Sequence, residues 1–318
     1  MRFIARILST ADAYVKSSAA ACLMKKQTQA TLYAGIAVLL WSTVASAFKL
    51  SLQHLSTHEL LLFASLVSCG VLFSILVITG RYRAFQSWTA RDVLRSALLG
   101  FLNPFLYYRM LFEAYAVLPA QEAQSLNFTW PIVLALLSLI VLRQRMTILS
   151  LGAMCISFVG VVVIATHGDI LRFQPTDPRG VALALGSTVI WASYWIAGLK
   201  DKRDPVARLF ANFAFGGIFV SVTTVGWVPL KIPQMAGLLG AVYVGTFEMS
   251  VTFLVWLMAL RRSRNTAQVG NLIFLTPFLS LFFIRYAIGE TIHASTLAGL
   301  ILIVVGILLQ QRYGSRSG

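Results

Sequence analysis

The chain reads as a series of apolar runs separated by short polar or basic connections. Most runs are about 20 residues long, which is enough for an α-helix to cross a bilayer. They predict helices at about 31–50, 58–79, 93–115, 120–142, 148–166, 179–199, 206–228, 235–260, 265–287 and 293–312. The expected fold class is an all-α polytopic membrane protein with ten transmembrane helices.

The pattern repeats. The stretch Leu118 to Thr166 begins P-A-Q-E-A-Q-S-L-N-F-T-W-P, turns at Arg143-Gln144-Arg145 and closes on an apolar segment ending G-V-V-V-I. From Arg264 the chain gives N-T-A-Q-V-G-N-L-I-F-L-T-P, a turn at Gly289-Glu290-Thr291 and a segment ending G-I-L-L. Pro131 and Pro277, Leu151 and Leu297, and Gly160 and Gly306 are each 146 positions apart. Helix 1 carries L-L-W-S-T around Trp41, and helix 6 carries V-I-W-A-S around Trp191. A fixed-period repeat sets the architecture. Residues 31–166 and 179–312 are read as two five-helix units, joined by His167–Pro178. Five is odd, so the second unit enters the membrane upside down, giving a 5 + 5 inverted repeat. Carriers of that design hold substrate between the repeats, near the membrane midplane.

Composition agrees with a membrane location. The chain is 58% hydrophobic and 12% charged, against about 25% charged in soluble domains. A net charge of +15 invites a nucleic-acid reading, but the basic residues have another explanation. They collect on alternate connections: Arg81, Arg83 and Arg91; Arg143 and Arg145; Lys200, Lys202, Arg203 and Arg208; Arg261, Arg262 and Arg264; Arg312 and Arg316. The opposite connections hold few, Lys49, Arg172, Arg179, Lys231 and Arg285. The positive-inside rule then puts both termini in the cytoplasm. Residues 1–30 form a basic leader. Asp12 and Lys16 interrupt any signal-peptide core, so it is read as a short cytoplasmic amphipathic segment or a start-site artefact. Cys69 and Cys155 lie in apolar runs and Cys22 in the leader, which suggests no disulfide framework.

Few polar groups interrupt the spans. Pro131 and Pro277 are expected as kinks inside helices 4 and 9, each freeing the carbonyl four residues back, and so as hinges or packing bends. Matched faces read Glu122, Ser125, Phe128, Ile132 and Gln268, Asn271, Phe274, Phe278. Polar groups on apolar helices should turn inward. Asn127 and Asn271 fit either a binding site or interhelical fastening. Arg109 and Glu113 are four apart and can pair. Glu248 falls at the centre of helix 8, at the repeat position of Tyr108. A carboxylate there costs a few kcal/mol or more unless paired, protonated or wet. It is expected in or beside a central cavity, paired with Arg109 or a neighbouring hydroxyl. Trp41, Trp130 and Trp191 fall mid-helix, where interfacial belts do not explain them. No phosphate-binding Gly loop and no metal-ligand spacing of histidines is found, so no cofactor or metal is expected.

Taken together, the repeat, the Pro and Gly helices, the L-L-W-S-T start and the P-A-Q-E-A-Q…N-F-T-W-P and L-T-P stretches resemble the EamA-type branch of the drug/metabolite transporter superfamily. They are similar to its bacterial aromatic amino acid and paraquat exporters. The resemblance covers about residues 30–312. It implies a bacterial inner-membrane carrier, not an enzyme, working by alternating access on small amphipathic metabolites, amino acids including aromatic ones foremost. Aromatic cations or another metabolite are alternative cargoes; a channel or intramembrane enzyme is the alternative of another class. It also implies a cavity lined by Trp41, Trp130, Trp191 and one of Tyr107 and Tyr108. The expected partners are a small-molecule substrate and the lipid bilayer, without nucleic acid. The oligomeric state is left open, a monomer included.

Overall fold

The structure is a computed structural model that describes residues 2–141, 147–169, 177–199, 201–225, 233–263 and 269–314. Arg143, Arg145, Arg172, Lys200, Lys231, Arg264, Gln268 and Arg316 lie outside the described residues. All regular elements among the described residues are helical. Seven stretches are long and apolar enough to cross a membrane: Lys26–Leu52, Thr57–Ile78, Pro178–Gly198, Pro205–Val225, Met235–Arg262, Asn271–Ile288 and Ala294–Arg312. Leu151–Ala165 is a shorter apolar helix. The chain is a multi-pass helical membrane protein.

Helix α1 runs from Arg2 to Leu52, so the backbone of the leader is continuous with the first apolar run. Helix α2 (Thr57–Ile78) starts on a capping box, in which Ser56 and Glu59 satisfy each other's backbone donors. Thr89 and Asp92 do the same for α3 (Ala90–Gly100).

The next two predicted helices are broken rather than continuous. After α3 comes a π-helical stretch, Phe101–Leu106, and then α4 (Tyr107–Val117). Asn103 is extended there, with φ −145° and ψ 119°. It precedes Pro104, and the ring of a proline disfavours helical backbone in the residue before it. Helix α5 (Ala120–Asn127) stops, and α6 (Trp130–Val141) restarts with Pro131 in its first turn. Pro277 likewise opens α12 (Thr276–Phe283), after a 3-10 turn at Asn271–Leu275. The expectation of kinks inside continuous helices is corrected accordingly. Each proline sits where first-turn N–H groups have no helical partner anyway.

The remaining elements are α7 (Ile148–Ala165), α8 (Pro178–Leu199), α9 (Pro205–Val225), α10 (Met235–Tyr243), a π-helical stretch Val244–Val251, α11 (Thr252–Arg262), a π-helical turn Ile284–Ile288 and α13 (Ala294–Gly314). Pro178 and Pro205 each open their helix, the position that tolerates a missing N–H. Helix α1 packs on α11 and α12, and α8 packs on α4 and α6. Helix α2 lies on α9, which also supports α3.

Helices α7 and α13 lie along each other on glycines. A Cβ on Gly160 would stand 2.5 Å from the Gly299 carbonyl, and one on Gly299 would stand 2.6 Å from the Gly160 carbonyl. A Cβ on Gly306 would meet the Ala153 carbonyl at 2.5 Å. The obstacles are backbone atoms, so a side chain fits only if the helices separate. Gly160→Leu should therefore destabilise by about 1–3 kcal/mol, the usual cost of overpacking. Thermal unfolding in detergent would read this as a lowered Tm; a variant melting with the wild type would contradict so close a contact.

Candidate functional site

Two of the three mid-helix tryptophans, Trp41 and Trp191, meet the interrupted helices at one aromatic cluster. Tyr107, at the start of α4, stacks on Trp191 of α8, with centroids 4.6 Å apart and planes 27° apart. Trp191 also stacks on Tyr194 at 6.0 Å and meets Trp195 and Phe253 edge-on at 5.9 and 5.5 Å. Trp41 of α1 reaches the other side of Phe253 at 6.0 Å and packs on Trp256 at 5.6 Å. Tyr107 and Tyr108 touch at 4.8 Å. Offset and edge-on pairs of this kind are the preferred aromatic geometries.

Glu248 adjoins this cluster from the π-helical stretch of the 235–262 helix, and only 7% of it is exposed. A π turn carries an extra residue, and such turns recur at functional sites. Here Ser250 Oγ donates to the Gly245 carbonyl, five residues back, at 2.7 Å. The Tyr108 hydroxyl donates to Glu248 Oε1 at 3.0 Å. Trp41 lies beside the same carboxylate. Glu248 Oε2 is buried without a hydrogen-bond partner in the protein. The expected partner is thus a hydroxyl. Arg109 does not pair with Glu248, nor with Glu113, whose carboxylate takes the Thr57 hydroxyl at 2.5 Å and faces Arg179 at 3.6 Å.

A second, uncharged arm leaves the stack. Tyr107 donates to Asn127 Oδ1 at 3.3 Å, and Asn127 Nδ2 donates to Ser187 Oγ at 2.9 Å. Beyond Trp191, Asn212 Nδ2 donates to the Tyr194 hydroxyl at 3.3 Å. Both α4 tyrosines therefore point into the cluster. Tyr107 serves the stack and Tyr108 the carboxylate.

The structure brings together Trp41, Tyr107, Tyr108, Trp191, Asn127 and Glu248. Trp130 packs partly buried against the same core but forms no ring pair among the described residues. Asn271 is exposed at the start of its 3-10 turn, and no hydrogen bond joins it to the cluster. Sequence reasoning missed Phe253, Trp256, Tyr194 and Ser187. A signal was present for some: Tyr194 follows Trp191 at the one-turn spacing that puts side chains on the same helix face, and Phe253 and Trp256 share a helix with Glu248.

Each end of the bundle is tied by charges. At the basic end, Arg203 meets Asp201 at 2.6 Å, lies over the Trp88 ring at 4.5 Å and donates to Ser96 at 2.9 Å. Arg95 reaches Asp201 at 3.4 Å, and Arg81 pairs with Asp204. Burial alone would push up the Asp201 carboxyl; the hydrogen bonds and charge of Arg203, with Arg208, outweigh it and hold the carboxyl below its ordinary value. At the other end, Glu290 accepts from the Ala120 and Gln121 amides at 2.8 and 3.3 Å, capping the positive end of α5. Lys49 donates to the Tyr115 and Leu118 carbonyls, and His167 meets Glu122 at 2.5 Å. Among the described residues no group of three or more His, Cys, Asp or Glu side chains could hold a metal.

Comparison with known proteins gives the same picture at the level of the fold. A solved crystal structure 21% identical in sequence superposes with a TM-score of 0.64, covering 91% of this chain and 98% of its own. An uncharacterized transporter of Bacillus subtilis, YvbV, is 26% identical over 89% of this chain and 92% of its own length. The aromatic amino acid exporter YddG of Ancylobacter novellus is 23% identical over 88% and 96%. The model of the EamA-like transporter family matches twice, over residues 28–166 and 178–310. With nearly the whole chain matched in two consecutive copies, this protein belongs to the EamA-like transporter family.

Proposed function

We propose that the protein exports small amphipathic metabolites, aromatic amino acids among them, by alternating access. The observation that carries this reading is the Tyr107–Trp191 stack beside a buried carboxylate at Glu248. Such a site offers a flat face to a ring, a charge to an ammonium group, and amide and hydroxyl groups to a carboxylate. The name of the Ancylobacter relative points the same way.

We read the architecture as ten spans. The seven long stretches are joined by the broken pairs at 90–117 and 120–141 and by α7. The packing supports an inverted repeat with units at 31–166 and 179–312. Helix α1 sits against α11 and α12 of the second unit, as α8 sits against α4 and α6 of the first. In this reading both termini are cytoplasmic and the membrane is a bacterial inner membrane. A cysteine replacing Gln53 should then react with an impermeant thiol reagent applied to whole cells, and one replacing Thr147 should not. The reverse pattern would overturn the orientation.

The transport reading is tested by counterflow in proteoliposomes across a panel of amino acids and aromatic cations. Saturable counterflow of phenylalanine or tryptophan is the expected outcome. Unsaturable flux would mean a channel, and consumption of the compound in detergent would mean an enzyme.

A further inference from the structure

We infer that Glu248 is the charge selector of the site. It recognises a protonated amine, so aromatic amines without a carboxylate bind as ligands while aromatic acids without an amine are turned away. The inference rests on reading the aromatic cluster as the substrate site.

Three observations converge on it. The Glu248 carboxylate takes the Tyr108 hydroxyl and has the Trp41 indole beside it, both neutral, and its Oε2 is buried outside normal hydrogen-bond geometry. A carboxylate withdrawn from water is costly unless a cation answers it. Next, no basic side chain among the described residues forms an ion pair with Glu248, and several are engaged elsewhere. Lys49 is spent on two backbone carbonyls. Arg95 is drawn to Asp201 and the Ala197 carbonyl. Arg179 faces Glu113. Arg109 forms no pair with Glu248. Finally, the cluster that adjoins the carboxylate is aromatic, and a ring face attracts an ammonium as the carboxylate does.

The far arm of the site differs in kind. Asn127, Ser187, Tyr194 and Asn212 are neutral. They can hydrogen-bond a substrate carboxylate but give it no counter-charge, and a charge desolvated against neutral dipoles alone gains less than one that meets an opposite charge. For a zwitterion, the amine end is then the group the site rewards. For a ligand with one end only, the amine is accepted and the acid refused.

Binding of radiolabelled phenethylamine, 3-phenylpropionate and phenylalanine to the purified full-length protein in detergent at neutral pH tests this. Phenethylamine should bind at least tenfold more tightly than 3-phenylpropionate. Glu248→Gln should weaken phenethylamine at least tenfold without weakening 3-phenylpropionate. Tyr108→Phe removes the hydrogen bond but keeps the carboxylate, and should keep the amine preference; it also decides the matter together with the wild-type ranking if the Gln variant does not fold. Equal binding of the two one-ended ligands, or no binding of either, overturns the inference. So does a well-folded Gln variant that still prefers the amine. Phenylalanine counterflow separates the two levels. Counterflow without amine preference sinks the selector alone; amine preference without counterflow sinks the carrier reading alone.

Discussion

Trp191→Ala is expected to lower phenylalanine and tryptophan counterflow at least tenfold while the protein still inserts. Trp191 is the hub of the cluster, touching Tyr107, Tyr194, Trp195 and Phe253. Each aromatic pair is worth about 0.5–1.5 kcal/mol beyond burial, and tenfold in binding is only about 1.4 kcal/mol. Losing the stacking surface for a substrate ring, at the upper end of that range, reaches the threshold. Truncation of a buried tryptophan also costs about 3–5 kcal/mol of stability. The melting temperature should therefore be followed alongside transport, and rates compared only in folded samples. Trp191→Phe keeps a ring on Tyr107 and should retain most activity. Trp41→Ala should rank next, through its contacts with Phe253 and Trp256. Trp130→Ala should cost least, since Trp130 stands outside the ring pairs. Wild-type rate and affinity in an inserted Trp191→Ala protein would reduce the cluster to packing.

Asp201→Asn is expected to destabilise the protein by about 3 kcal/mol at neutral pH. Removing one partner of a buried ion pair costs about 3–5 kcal/mol. The low end applies because Arg95 and Arg208 are partly exposed, so solvent screens them. The side chain of Asp201 itself is only 1% exposed, and Arg203 stands against it. The pH dependence follows from the depressed carboxyl. Its contribution is fully present above the unfolded value of about 3.9 and is lost as pH falls through the lower folded value. Wild type and variant should therefore differ at pH 7 and converge below about pH 4. Melting temperatures in detergent across that range would show it. A constant gap down to the lowest pH would mean that the charge of Asp201 does not matter.

Much of this was legible in the sequence because membrane helices write themselves as long apolar runs. The positions of Trp41, Trp191 and Glu248, each near the middle of its run, fit their place in one cluster. What stayed hidden was local geometry. The break at Asn103 passed unseen inside a helix read as continuous, and the restarts at Trp130 and Thr276 were read as bends, since a proline signals an interruption without saying on which side of it the helix ends. The π-helical stretch around Glu248 left no mark, because Val244–Val251 contains no proline to announce it. Without that turn the direction of the carboxylate could not be assigned, and Arg109 looked as good a partner as Tyr108. Asn271, the repeat counterpart of Ser125, was weighed with Asn127 as a polar group of the site, yet the 3-10 turn it opens leaves it exposed. Repeat symmetry relates backbones more faithfully than it relates the roles of side chains.

The glycine contact between α7 and α13 has a mechanical meaning. Two helices whose carbonyls leave no room for a single methyl group cannot slide past each other or rotate about their own axes without colliding. They behave as one post. The broken helices elsewhere, α3 to α4 and α5 to α6, are short rods with joints between them. A molecule built of one stiff post and several jointed arms changes shape by swinging the arms. In the alternating-access reading proposed above, the opening turns around that pair, as a door turns around its frame.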